Sequence, residues 1–83
     1  KMLLAQRPMA RDNNHQTRKR EQAAAQLEQR IREQETAIQR LSETLQQSGA
    51  AGDFDQVRET GWQLAHAQAE LDKLMDEWEK LVV

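Results

Sequence analysis

Two stripes of mostly apolar residues, each recurring at alternating intervals of three and four, constrain this chain more than anything else in it. The first runs through Ala24, Leu27, Ile31, Ile38, Leu41 and Leu45, with Gln34 filling the remaining slot. The second runs through Phe54, Val57, Gly61, Leu64, Gln68, Leu71, Met75, Trp78 and Val82. An α-helix gathers residues so spaced onto one side, where they can mesh with a second helix. Only Ser48-Gly49-Ala50-Ala51-Gly52 separates the stripes. A connection this short lets them bury each other only by folding back. The expected fold is therefore all-α: an antiparallel two-helix coiled-coil hairpin with a basic, partly flexible N-terminal arm.

Local signals set the expected boundaries. The first helix spans about 14–48, with Asn13 or Asn14 as N-cap and Ser48-Gly49 closing it, since glycine readily takes the left-handed conformation past a helix end. The turn occupies 49–52. The second helix spans about 53–82 and opens on Asp53 and Gln56, a capping-box variant in which each side chain serves a backbone donor of the other. Residues 1–13 form the arm and linker, and 14–83 the coiled-coil domain. The expected pairing sets Leu45 on Phe54, Leu41 near Val57, Ile38 opposite Gly61, Ile31 opposite Gln68, Leu27 on Leu71 and Ala24 on Met75. Trp78 then lies in the core beside Arg20 and Glu21, with Arg20 stacked on its face. Leu74 and Leu81 widen the stripe. This pairing also opposes Glu28 to Asp72 and Glu21 to Glu79, a repulsion of a few tenths of a kcal/mol each, outweighed by roughly 1.5–3 kcal/mol for each buried Leu or Ile.

Composition narrows the functional classes. With 83 residues, 4% aromatics, three glycines and one proline, the chain suits long amphipathic helices and leaves little room for an enzyme core. The absence of cysteine excludes thiolate metal sites, disulfides and thiol nucleophiles. No apolar run nears the roughly 20 residues that span a bilayer, so no membrane partner is expected. His15 and His66 lack companions at metal-ligand spacing, and the many carboxylates converge on no cleft where acid–base catalysis can operate. No catalytic, cofactor or metal residues are expected. Charge is divided unevenly: residues 1–20 hold six bases against Asp12, a net of +5, while residues 21–83 hold six bases against thirteen acids, a net of −7. An anionic partner meets the arm first.

The stretch from Arg18 to Val82 resembles the C-terminal coiled-coil domain of ABC-F ATPases, the Uup-like members in particular. The resemblance rests on the basic lead-in Arg18-Lys19-Arg20-Glu21, L-E-x-x-I at Leu27 to Ile31, and I-x-x-L at Ile38 to Leu41. It continues through G-D-F-D-Q-V at Gly52 to Val57, A-x-A-E-L at Ala67 to Leu71, and D-E-W-E-K-L at Asp76 to Leu81, the last being the most specific. It implies a non-catalytic tail of a cytoplasmic ATPase that acts on ribosomes, with DNA binding associated with the Uup-like tails. ATP and Mg would belong to the parent's ATPase domains. No G-x-x-x-x-G-K-[ST] phosphate loop occurs in this chain.

Candidate nucleic-acid contacts are Arg7, Arg11, Arg18, Lys19 and Arg20, whose charges can neutralise phosphates irrespective of sequence; the plainer reading is a solvated helix start. Trp62, at an outward position, can stack on a base or a protein surface, or lie along the aliphatic parts of Arg58 and His66. Gln34 and Gln68 read as polar seam residues that fix register. The partners expected are DNA, ribosomal RNA or the ribosome, the parent's ATPase domains, and a second copy in a homodimer. Two alternatives share the shape: a purely structural interaction or dimerisation hairpin, and an RNA-binding arm of the valyl-tRNA-synthetase type.

Overall fold

The computed structural model describes the backbone of residues 2–82 and the side chains of residues 15–82. It contains two helices, α1 (Met2–Ala51) and α2 (Phe54–Val82), packed antiparallel along a rod 75 Å long and 14 by 12 Å across. The hairpin expected from the two stripes is the fold. The rod exceeds the length of the paired part because α1 has 50 residues and α2 has 29. At about 1.5 Å per residue, α1 alone accounts for the long dimension.

The boundaries differ from those expected. Helix α1 continues back through Asn13 and Asn14 to Met2, so neither asparagine caps it. Pro8 lies in its second turn, where it removes one backbone hydrogen bond without ending the helix. At the other end Gly49 is an ordinary helical residue, and Gly52, at φ 72°, takes the left-handed conformation instead. The Gly52 N–H donates to the Gly49 carbonyl at 3.2 Å and the Asp53 N–H to the Ser48 carbonyl at 2.9 Å, the paired bonds of a Schellman cap. Asp53 then opens α2 at once, its Oδ1 accepting the Gln56 N–H at 3.2 Å. The reciprocal half of the capping box is absent. The Asp53 N–H is already committed to Ser48, and Gln56 Nε2 instead donates to Thr60 Oγ1 at 3.0 Å. Asp55 in the first turn and Lys80 in the last complement the dipole of α2.

The α1 seam is the expected one, from Ala24 and Leu27, both buried, through half-buried Ile31, Gln34, Ile38, Leu41 and Leu45, and it runs one step further than expected, to buried Ser48. The α2 seam is not. Val57, Leu64, Leu71 and Trp78 belong to it, but they alternate with Thr60, Ala67, Leu74 and Leu81 in place of Phe54, Gly61, Gln68, Met75 and Val82. Thr60 is 0% exposed and Leu74 6%, against 76% for Phe54 and 44% for Met75. Gly61 is half-buried and Gln68 exposed.

The register moves with the bend. Trp78 stands beside Glu28, Ile31, Arg32 and Met75, about two turns further along α1 than Arg20 and Glu21. Its indole N–H donates to Glu28 Oε1 at 3.2 Å. This hydrogen bond to Glu28 replaces the expected stacking of Trp78 on Arg20. Gln34 does lock the helices, donating from Nε2 to the Ala67 carbonyl at 3.0 Å; Gln68 has no such part. Among the described residues, every buried side-chain polar atom has a hydrogen-bond partner.

Candidate nucleic-acid interface

The chain's charged surface is divided by the unequal lengths of the helices. Among the described residues, Ala23 and Ala24 are the first in α1 to lose exposure, and residues 15–22 are all exposed. The end of α2 thus covers α1 only to about Ala23, and Arg18, Lys19 and Arg20 stand on an unpartnered extension of α1. Three consecutive residues on a helix are turned by about 100° from one to the next. The triplet therefore spreads around α1 instead of forming one face. Arg20 continues the line of the seam, while Arg18 and Lys19 lie to either side of the line opposite it. The side chains of Arg7 and Arg11 lie outside the described residues.

Two arginines that do not cluster with the triplet along the chain share its outward positions. Arg32, two heptads beyond Arg18, repeats the phase of Arg18, and Arg40, three heptads beyond Lys19, repeats that of Lys19. Both are exposed. Arg32 Nη2 donates to Gln29 Oε1 at 3.0 Å, and Thr36 and Thr44 hydroxyls donate back to the Arg32 and Arg40 carbonyls at 3.0 Å. The signal that finds these two arginines in the sequence is the seven-residue phase. Among the described residues the one ion pair joins Arg58 to Asp55 at 3.8 Å, so none of these α1 bases is neutralised by an acid.

Trp62 is 76% exposed and forms the wall of a shallow apolar groove with Ala65 and His66. It lies ten residues after Gly52, whereas Arg20 lies thirty-two residues before it. The two are thus about 30 Å apart along the rod, and the fold does not bring the tryptophan to the basic cluster. The grooves are open to solvent, and among the described residues no three His, Cys, Asp or Glu side chains are grouped so as to hold a metal ion. No described helix is long and apolar enough to cross a membrane.

Comparison with known proteins agrees with this architecture. No curated protein and no solved structure matches the chain. A family model does, described as the ABC transporter C-terminal domain and covering residues 15–82. That span takes in the whole paired hairpin and the Arg18–Arg20 extension, and it coincides with the stretch whose motifs resemble ABC-F tails. The chain belongs to the ABC transporter C-terminal domain family.

Proposed function

We propose that this domain is the non-catalytic, cytoplasmic tail of an ABC-F type ATPase and attaches its parent to nucleic acid, DNA or ribosomal RNA, through the basic extension of α1. The observation that carries the reading is the exposed run Arg18, Lys19 and Arg20 on a helix that α2 leaves uncovered. Unpaired guanidinium and ammonium groups spread around a single helix suit phosphate neutralisation, which needs charge and reach but little fixed geometry. Arg32 and Arg40 extend the same electrostatic track along the outward half of α1, and Arg7 and Arg11 lengthen it at the sequence level. Trp62, remote from these bases, supports at most a second contact with a base or a protein surface. The ATP and Mg of the parent have no place here, because the chain lacks the glycine-rich phosphate loop that would hold them.

The test is a titration of the chain against duplex DNA and against RNA across salt concentrations. Binding should weaken linearly on a log–log plot, and neutralising Arg18, Lys19 and Arg20 to glutamine should lower the slope by roughly one for each phosphate that is no longer neutralised. A slope left unchanged by the triple substitution would sink the reading.

A further inference from the structure

The observed α2 seam leaves a second line of residues on one flank of that helix. Gln68, Asp72, Met75, Glu79 and Val82 follow one another at intervals of four and three, so they share a side just off the buried seam. At the open end of the hairpin this flank meets α1 at a groove lined by Glu28, Ile31, Arg32, Met75 and Trp78. Its floor is apolar and uncovered: Met75 is 44% exposed, and Ile31 and Trp78 are half-buried; Val82, 47% exposed, continues the flank beyond it. Glu28 and Arg32 line the groove from α1, and on the α2 flank the acids Asp72 and Glu79 stand three residues before and four residues after Met75, all exposed. Among the described residues no ion pair reaches Glu28, Asp72 or Glu79. An apolar floor bordered by three acids, Glu28, Asp72 and Glu79, against the one base Arg32 is suited to a basic segment that also carries apolar side chains.

The chain contains one such segment. Residues 1–20 hold Met2, Leu3, Leu4 and Met9 together with six bases and a single acid. It cannot reach the groove of its own hairpin, because α1 is unbroken from Met2 to Ala51 and carries this segment along the rod axis, away from Glu28 and Ile31. A second copy approaching open end to open end has no such restriction. About 30 Å of α1 extends beyond the end of α2, against about 10 Å from Met75 to Val82. We propose that the acidic groove of one hairpin receives the basic N-terminal segment of a second copy, and reciprocally, giving a two-fold symmetric dimer in which the same surfaces are used twice. The contact does not depend on nucleic acid. Because it engages the same bases, phosphate and the second copy compete for the segment.

Sedimentation velocity of the full chain, without nucleic acid, tests this. At low ionic strength the chain should show a concentration-dependent monomer–dimer equilibrium, weakened at least tenfold on going from about 0.05 to about 0.5 M salt as screening shortens the reach of the charges. Met75→Glu should give monomers with helicity unchanged by circular dichroism. Asp72→Lys with Glu79→Lys, and separately Arg7→Glu with Arg11→Glu, should each give monomers, and the four substitutions together should restore the dimer. A wild-type chain monomeric at low salt, a dimer that survives Met75→Glu, or four exchanged charges that fail to restore association would each overturn the proposal.

Discussion

At the scale of single residues, the three glycines separate conformational need from mere presence. Gly52 holds a φ of 72°, which an L-residue enters at a cost of about 1–2 kcal/mol. Gly49 and Gly61 are helical, and a Cβ added to either meets nothing within 4 Å. Each gives up helix stability to no local benefit, by about 0.5–1 kcal/mol relative to alanine. Urea denaturation should therefore place Gly49→Ala and Gly61→Ala above the wild type and Gly52→Ala below it. If Gly49→Ala proved the destabilising change, the bend would lie three residues earlier, directly after Ser48. That the chain reverses near 49–52 was legible, because no other stretch combines two glycines so closely. Which glycine turns it was not, since either can take the left-handed conformation. Asp53 decides. As N-cap of α2 it requires non-helical backbone immediately after α1, and this makes Gly52, three residues beyond Gly49, the last place where α1 can stop.

At the scale of the helices, the phase of the α2 seam determines which side chains carry stability. Leu64, Leu71 and Trp78 each have one candidate companion three residues later and another four residues later, and a heptad template admits both. The set at four reads Gln68, Met75 and Val82; the set at three reads Ala67, Leu74 and Leu81. Apolar content alone separates them weakly. The structure buries the second set, and with it Thr60, a polar residue whose hydroxyl is satisfied by Gln56. Leu74→Ala should thus cost about 2–4 kcal/mol in a urea melt, most of a buried leucine with its cavity term. Met75→Ala should cost less than about 1 kcal/mol, as expected for a residue that keeps much of its surface in water. Equal losses, or the reverse order, would put Met75 in the seam and Leu74 outside it. The candidate binding residues obey the same lesson. Their charge was plain from composition, but a run of adjacent bases spreads around a helix, whereas Arg32 and Arg40, far along the sequence, return to the phases of Arg18 and Lys19.

For the molecule as a whole, the inequality of its two helices matters most. Packing between helices supplies most helical stability in proteins, and an isolated helical stretch in water is marginal. The seam from Ala24 to Ser48 has α2 beside it, with Leu27 buried and Gln34 bonded to the Ala67 carbonyl. The stretch 15–22 has no such support and is exposed throughout. Opening of residues 15–22 therefore requires no seam contact to break, while opening at Leu27 to Leu41 requires the two helices to separate. Amide hydrogen exchange should show a step at Ala23–Ala24. Protection before it should be near that of a free helix, and protection after it should approach the free energy of global unfolding. An extension that pairs with a second copy or lies along a nucleic acid would gain protection on that occasion alone, and the step would move toward the N-terminus. Uniform protection from residue 15 to residue 45 in a dilute monomer, without nucleic acid, would mean that something in the chain itself holds the extension, and the division of the rod into a packed part and an unpartnered extension would be wrong.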